Sequence, residues 1–177
     1  SDIAEVLARR GEHLQGEPLI RDALRIRKAV YGDEHAEVAA SIEDLGLNYY
    51  ERGEYEQAVT YLREALAMRR KLHGTIHPAL AEAMDNLSWA LMGLGKATEA
   101  EPLSRLALEM KRNLYGDSHP ETTAGLNNLA YILESQGYFR AAEVAYRESL
   151  AVNQKLLGAK HPTIALTMSN IAFVMYA

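Results

Sequence analysis

A single period governs this chain. Gly32, Gly74, Gly116 and Gly158 stand 42 residues apart, and so do His35, His77, His119 and His161. Pro78, Pro120 and Pro162 follow the last three histidines, with Ala36 in the first place. Gly11, Gly53, Gly95 and Gly137 keep the same spacing, as do Leu24, Leu66, Leu108 and Leu150. A fixed period of this length marks a stacked repeat, in which each unit buries its apolar face against the next.

The recurring residues also say what the unit is made of. His-Pro opens a helix, because proline suits the first turn, where its missing N–H has no partner to lose. The glycine of the first series follows a cationic stretch such as Met68–His73, a helix-end signature with a left-handed cap. The second glycine series marks a tight turn. Between these signals apolar residues recur at helical spacing: Ile42, Leu45 and Tyr49, then Ala58, Leu62, Ala65 and Leu66. The predicted unit is helix A, a turn, a longer helix B and a short loop. Helix A falls at about 36–51, 78–93 and 120–135, and helix B at about 55–73, 97–115 and 139–157. The chain is thus one all-α array over 1–177. It holds a partial repeat 1–34, repeats 35–76, 77–118 and 119–160, and helix A of a further repeat at 161–177, about nine helices in all. Both ends stop within the pattern, and the segment 162–177 is strongly apolar. The expectation is a piece of a longer array, or an end that packs on another chain as a homo-oligomer contact.

Composition removes several function classes. With no cysteine the chain has no disulfide, thiolate nucleophile or thiolate metal ligand. A net charge of −5 argues against nucleic acid or an anionic membrane as partner. No apolar run approaches the ~18 residues of a membrane span, and the N-terminus lacks a signal peptide's charged start. A soluble, cytoplasmic protein is expected.

His-Pro-x-x-Ala, Asn-Asn-Leu-Ala at 127–130 and Gly-Tyr-x-x-Ala-Ala-Glu at 137–143 together resemble a tetratricopeptide repeat of the 42-residue kind carried by kinesin light chain. The resemblance covers essentially the whole chain. It implies a right-handed α-solenoid of antiparallel helix pairs, with the helix A faces lining a concave groove that binds a protein or peptide.

Candidate chemistry is sparse. The periodic histidines cannot share a metal, since stacked helices lie about 8–10 Å apart and zinc needs each nitrogen at about 2 Å. A structural role where loop meets helix fits them better. No nucleophile motif or phosphate-binding glycine loop is present. Neither an enzyme nor a cofactor or metal site is expected. The cationic runs Arg25–Lys28, Arg69–Lys71 and Lys111–Arg112 recur in the last turns of helix B, where the helix dipole accounts for them. Pro18 and Pro102 share an early position in helix B, where a slight kink is expected.

What remains is the groove that the resemblance implies. One helix A position holds Asp44, Asn86, Asn128 and Asn170, where an asparagine amide can both donate to and accept from a peptide backbone. The preceding residues are Glu43, Asp85, Asn127 and Ser169. One turn later come Leu47, Trp89, Tyr131 and Phe173, a row suited to anchoring an apolar side chain. Packing of these aromatics between helices, with the asparagines bonding neighbouring loops, is an equally good reading of the same residues. Glu43, Asp44, Glu51, Glu82, Asp85 and Glu134 would make the wall acidic, with Arg9 the one cation at the aligned positions. The expected partner is a neutral-to-basic segment with an apolar anchor. The other functions open to the chain are self-assembly through 162–177 and regulation of a catalytic domain outside it.

Overall fold

The computed structural model describes residues 13–158 and 160–177. Eight helices follow one another, and no strand occurs among the described residues. They are α1 (His13–Tyr31), α2 (Ala36–Glu51), α3 (Tyr55–His73) and α4 (Pro78–Gly93), then α5 (Ala97–Tyr115), α6 (Pro120–Ser135), α7 (Phe139–Leu157) and α8 (Pro162–Tyr176). Three A helices and three B helices coincide with the predicted spans. The partial helix expected before α1 lies outside the described residues. Two compact units divide between Gly95 and Lys96. Within each, helices adjacent in the chain pack on one another.

The periodic histidines are helix N-caps. Each sits in extended backbone, and its Nδ1 accepts from the N–H two residues on: His35 from Glu37 at 3.1 Å, His77 from Ala79 at 3.1 Å, His119 from Glu121 at 3.2 Å and His161 from Thr163 at 3.3 Å. That contact satisfies one of the N–H groups a helix start leaves orphaned. Three of the caps carry a second support that the sequence had not disclosed. The last residue of the preceding helix stacks on the histidine ring, Tyr31 on His35 at 4.4 Å, His73 on His77 at 3.9 Å and Tyr115 on His119 at 4.6 Å. Burial, together with His77 and Arg69, depresses the His73 imidazole below the usual histidine value. The glycine that ends each of these helices takes a left-handed φ, as at Gly74 (75°), where a side chain would be strained.

In unit one, Val38 and Ile42 of α2 close on Ala65 of α3, with Leu24, Tyr61 and Met68 around them. Gly46 lets α3 approach α2: an added Cβ would lie 2.7 Å from Leu62 Cγ. In unit two the core gathers Leu126, Leu129 and Leu133 of α6, Ala142 and Tyr146 of α7, and Ile171 and Val174 of α8. On α8, Leu166, Met168, Phe173, Met175 and Tyr176 all remain exposed.

Candidate peptide-binding site

The predicted groove residues fall on α2 and α4 in unit one, and on α6 and α8 in unit two. Each helix A presents them one turn apart, because positions i and i+3 share a helix face.

In unit one two of the acidic members, Glu43 and Asp85, are buried. Glu43 is only 5% exposed, and its carboxylate forms an ion pair with Arg69 of α3. Its other oxygen accepts from Asn86 Nδ2 of α4 at 2.9 Å. Position 43 faces Arg69 in the C-terminal half of α3, so the charge that looked available to a ligand is met from within. Asp85 is buried as well. Asp44 is half-buried, and burial pushes its carboxyl upward from the usual range. Glu51 and Glu82 stay exposed, while Leu47 and Trp89 are half-buried. Arg9 lies outside the described residues.

In unit two, Asn127 and Asn128 are half-buried on α6. The Asn127 Oδ1 is shut off from solvent without a hydrogen-bond partner. One turn on, Tyr131 is 44% exposed. On α8, Asn170 is half-buried and Phe173 is 58% exposed. The Asn170 amide hydrogen-bonds the Tyr146 hydroxyl, which itself donates to Glu134 at 3.0 Å. Burial and the Glu134 carboxylate hold that phenol well above its usual range. Asn86 and Asn170 therefore have side-chain partners on neighbouring helices. At the anchoring position Leu47 and Trp89 of unit one are half-buried, and Tyr131 and Phe173 of unit two are exposed.

One row of interhelical contacts was missed by sequence reasoning. Arg27, Arg69, Lys111 and Asn153 share a register position on helix B. Arg27 donates to Ser41 and pairs with Glu37 at 3.4 Å. Lys111 is buried and pairs with Glu121 at 3.3 Å, and Asn153 accepts from Thr123 Oγ1 at 3.0 Å. These side chains tie helix B to a neighbouring helix A, so the cationic runs are not simply a complement to the helix dipole. The common register was the available signal, but its partners lie on a different helix.

A second polar cluster joins α1 to its neighbours. Glu17 accepts from the Tyr49 hydroxyl at 2.8 Å and from Arg21 Nε at 2.9 Å, and pairs with Arg52. The Tyr49 hydrogen bond, followed by those from the two guanidinium groups, lowers its carboxyl to about 2 against the opposing effect of burial. Tyr61 stacks flat on Tyr49, with ring centres 5.4 Å apart.

No group of three or more potential ligands among the described residues could hold a metal ion. No described helix is long and apolar enough to cross a membrane.

The tetratricopeptide repeat family profile matches residues 1–71 and 90–155. A comparison with curated proteins finds no match. Among solved structures, repeats described as a kinesin light chain of Podosopora anserina superpose with a TM-score of 0.88 at 22% identity. That match covers 99% of this chain and 82% of the other. BtubC (BKLC) from P. vanneervenii gives 0.87 at 22% identity, covering 98% of this chain and 69% of that one. A Rap protein complexed with Competence and Sporulation Factor gives 0.74 at 15% identity, covering 97% and 45%.

Proposed function

Since the chain belongs to the tetratricopeptide repeat family, we propose that it is a protein- or peptide-binding scaffold module that reads its partner with helix A residues. The observation that carries this reading is the aromatic row, in which Tyr131 and Phe173 stand exposed one turn beyond Asn128 and Asn170. Large aromatics with an open face supply binding area at low entropic cost. The anchor of the partner is apolar. Its flanks are neutral to basic, matching the exposed Glu51 and Glu82 and the half-buried Asp44. Similarity to a Rap protein solved with a bound factor is in keeping with a ligand on this fold. No catalytic role is assigned.

The test is a peptide-display selection on the full chain, followed by affinity measurement on the selected peptides. Asn128→Ala with Tyr131→Ala should weaken binding at least ~10-fold, about 1.4 kcal/mol, with the helical circular dichroism unchanged. Unchanged affinity would remove these residues from the site.

A second reading is self-association through α8. It is favoured by an uncharged helix that leaves Met168 and Met175 exposed.

A further inference from the structure

The 42-residue period permits one groove of this protein to be compared with another, two periods further on. In unit one, α1 and α3 flank α2, and the space between them is occupied by the Tyr61 side chain. Its ring stacks on Tyr49, and its hydroxyl accepts from Arg21 Nη2 at 3.3 Å. Arg21 also donates to the Tyr49 hydroxyl at 2.8 Å while its Nε holds Glu17.

In unit two, α5 and α7 flank α6 in the same way. Glu101 and Arg105 stand where Glu17 and Arg21 stood, and they make the same pair, Arg105 Nε to Glu101 at 2.8 Å. The two tyrosines are gone. Leu133 replaces Tyr49 and Ala145 replaces Tyr61. A solvent-open cavity of about 430 Å³ lies there, within the size range of small-ligand sites. Its floor includes Leu126, Leu129 and Leu133, and its wall includes Ala145 and Val144, the latter 68% exposed. Arg105 lines the cavity, and the Arg112–Glu148 ion pair bridges α5 to α7 along it. None of the candidate peptide-binding residues contributes to the lining.

We propose that this cavity is a second binding site, which takes a tyrosine side chain presented by a partner polypeptide. The argument is the repeat's own. In unit one, the matching groove is filled by a tyrosine whose ring lies against the helix A side chain and whose hydroxyl meets the arginine. In unit two the arginine–glutamate pair is retained and the floor stays apolar, with Leu126 and Leu129 where unit one has Ile42 and Leu45, while the ring that would fill the space is reduced to Ala145. A phenol entering it covers the apolar floor and brings its oxygen to Arg105, a charge-assisted contact that a plain hydrocarbon ring lacks.

The test uses the full chain with p-cresol, the tyrosine side chain as a free molecule. Binding is followed by methyl NMR at Leu126, Leu129 and Leu133. Expected are saturable shifts at these leucines, with p-cresol at least ~5-fold tighter than toluene and the difference lost in Arg105→Leu. A short acetylated, amidated Ala-Tyr-Ala peptide should displace p-cresol, and its all-alanine counterpart should not. Ala145→Tyr should fill the cavity from within and weaken p-cresol binding at least ~10-fold, while raising Tm by about 2–4 °C. Should Ala145→Tyr fail to fold, Val144→Glu at the exposed wall gives the same loss without a demand on the core. Shifts that ignore both variants, or that fall elsewhere, overturn the site. Toluene binding as tightly as p-cresol overturns the role of Arg105. Displacement by free phenols but not by the tyrosine peptide overturns the polypeptide partner. Asn128→Ala with Tyr131→Ala should leave p-cresol binding intact, which separates this site from the helix A reading.

Discussion

A histidine that caps a helix through Nδ1 carries its remaining ring proton on Nε2, so each cap also fixes a tautomer. At the second cap the stacking partner is itself a histidine, where the first and third have tyrosine. Because the folded state disfavours protonated His73, its stabilising effect is full above the unfolded histidine value and declines as pH falls through and below it. His73→Tyr should therefore reduce the loss of stability between neutral pH and about pH 5, as read from urea midpoints at both conditions. An unaltered pH dependence would remove His73 as its source. Glu17 works on a more acidic window. Its carboxyl is lowered to about 2, so its contribution is present above the ordinary value of 4.5 and disappears as pH falls toward 2. Glu17→Gln should cost about 1.5–3 kcal/mol at neutral pH and flatten the denaturation profile in that acidic range.

Between helices, the glycines separate two kinds of contact. Gly46 faces Leu62 so closely that a methyl group would meet its Cγ at 2.7 Å and its backbone N at 3.3 Å. Gly125 offers more room, its nearest neighbour being Leu108 Cδ1 at 3.3 Å, the end of a flexible side chain. Alanine gains up to about 1 kcal/mol of helix propensity at either position. At Gly125 that gain should survive. At Gly46, overpacking of about 1–3 kcal/mol outweighs it. Calorimetry on Gly125→Ala and Gly46→Ala should show Tm moving in opposite directions, and a common direction would refute the packing difference. The same distinction explains what could be read beforehand. Helix limits such as 36–51 and 139–157 were legible because the histidine, proline and glycine signals act within a few residues of themselves. The Glu43–Arg69 pair was not, because nothing in the local sequence says which carboxylate Arg69 of α3 will meet. The helix A positions Asn86 and Asn128 look alike in the repeat alignment, and the cross-helix contact to Glu43 sets Asn86 apart.

At the scale of the whole molecule, the self-association reading rests on the exposed face of α8. Paired copies would bury Met168 and Met175, neither of which is among the candidate peptide-binding residues. Met168→Glu with Met175→Glu should abolish concentration-dependent light scattering if α8 is the contact, and leave peptide affinity unchanged. A wild-type chain that scatters as a monomer at every concentration would end the self-association reading.

The seven left-handed glycines and four histidine caps also govern how such a chain can change length. Each successive residue on an α-helix turns about 100° around the axis. One residue inserted within α6 would therefore rotate every later side chain of that helix, moving Tyr131 off its row and the leucines off the cavity floor. Adding a whole unit, with its own cap and its own glycines, disturbs no angle. The chain can grow by complete repeats, but a partial one would put its helix A rows out of step.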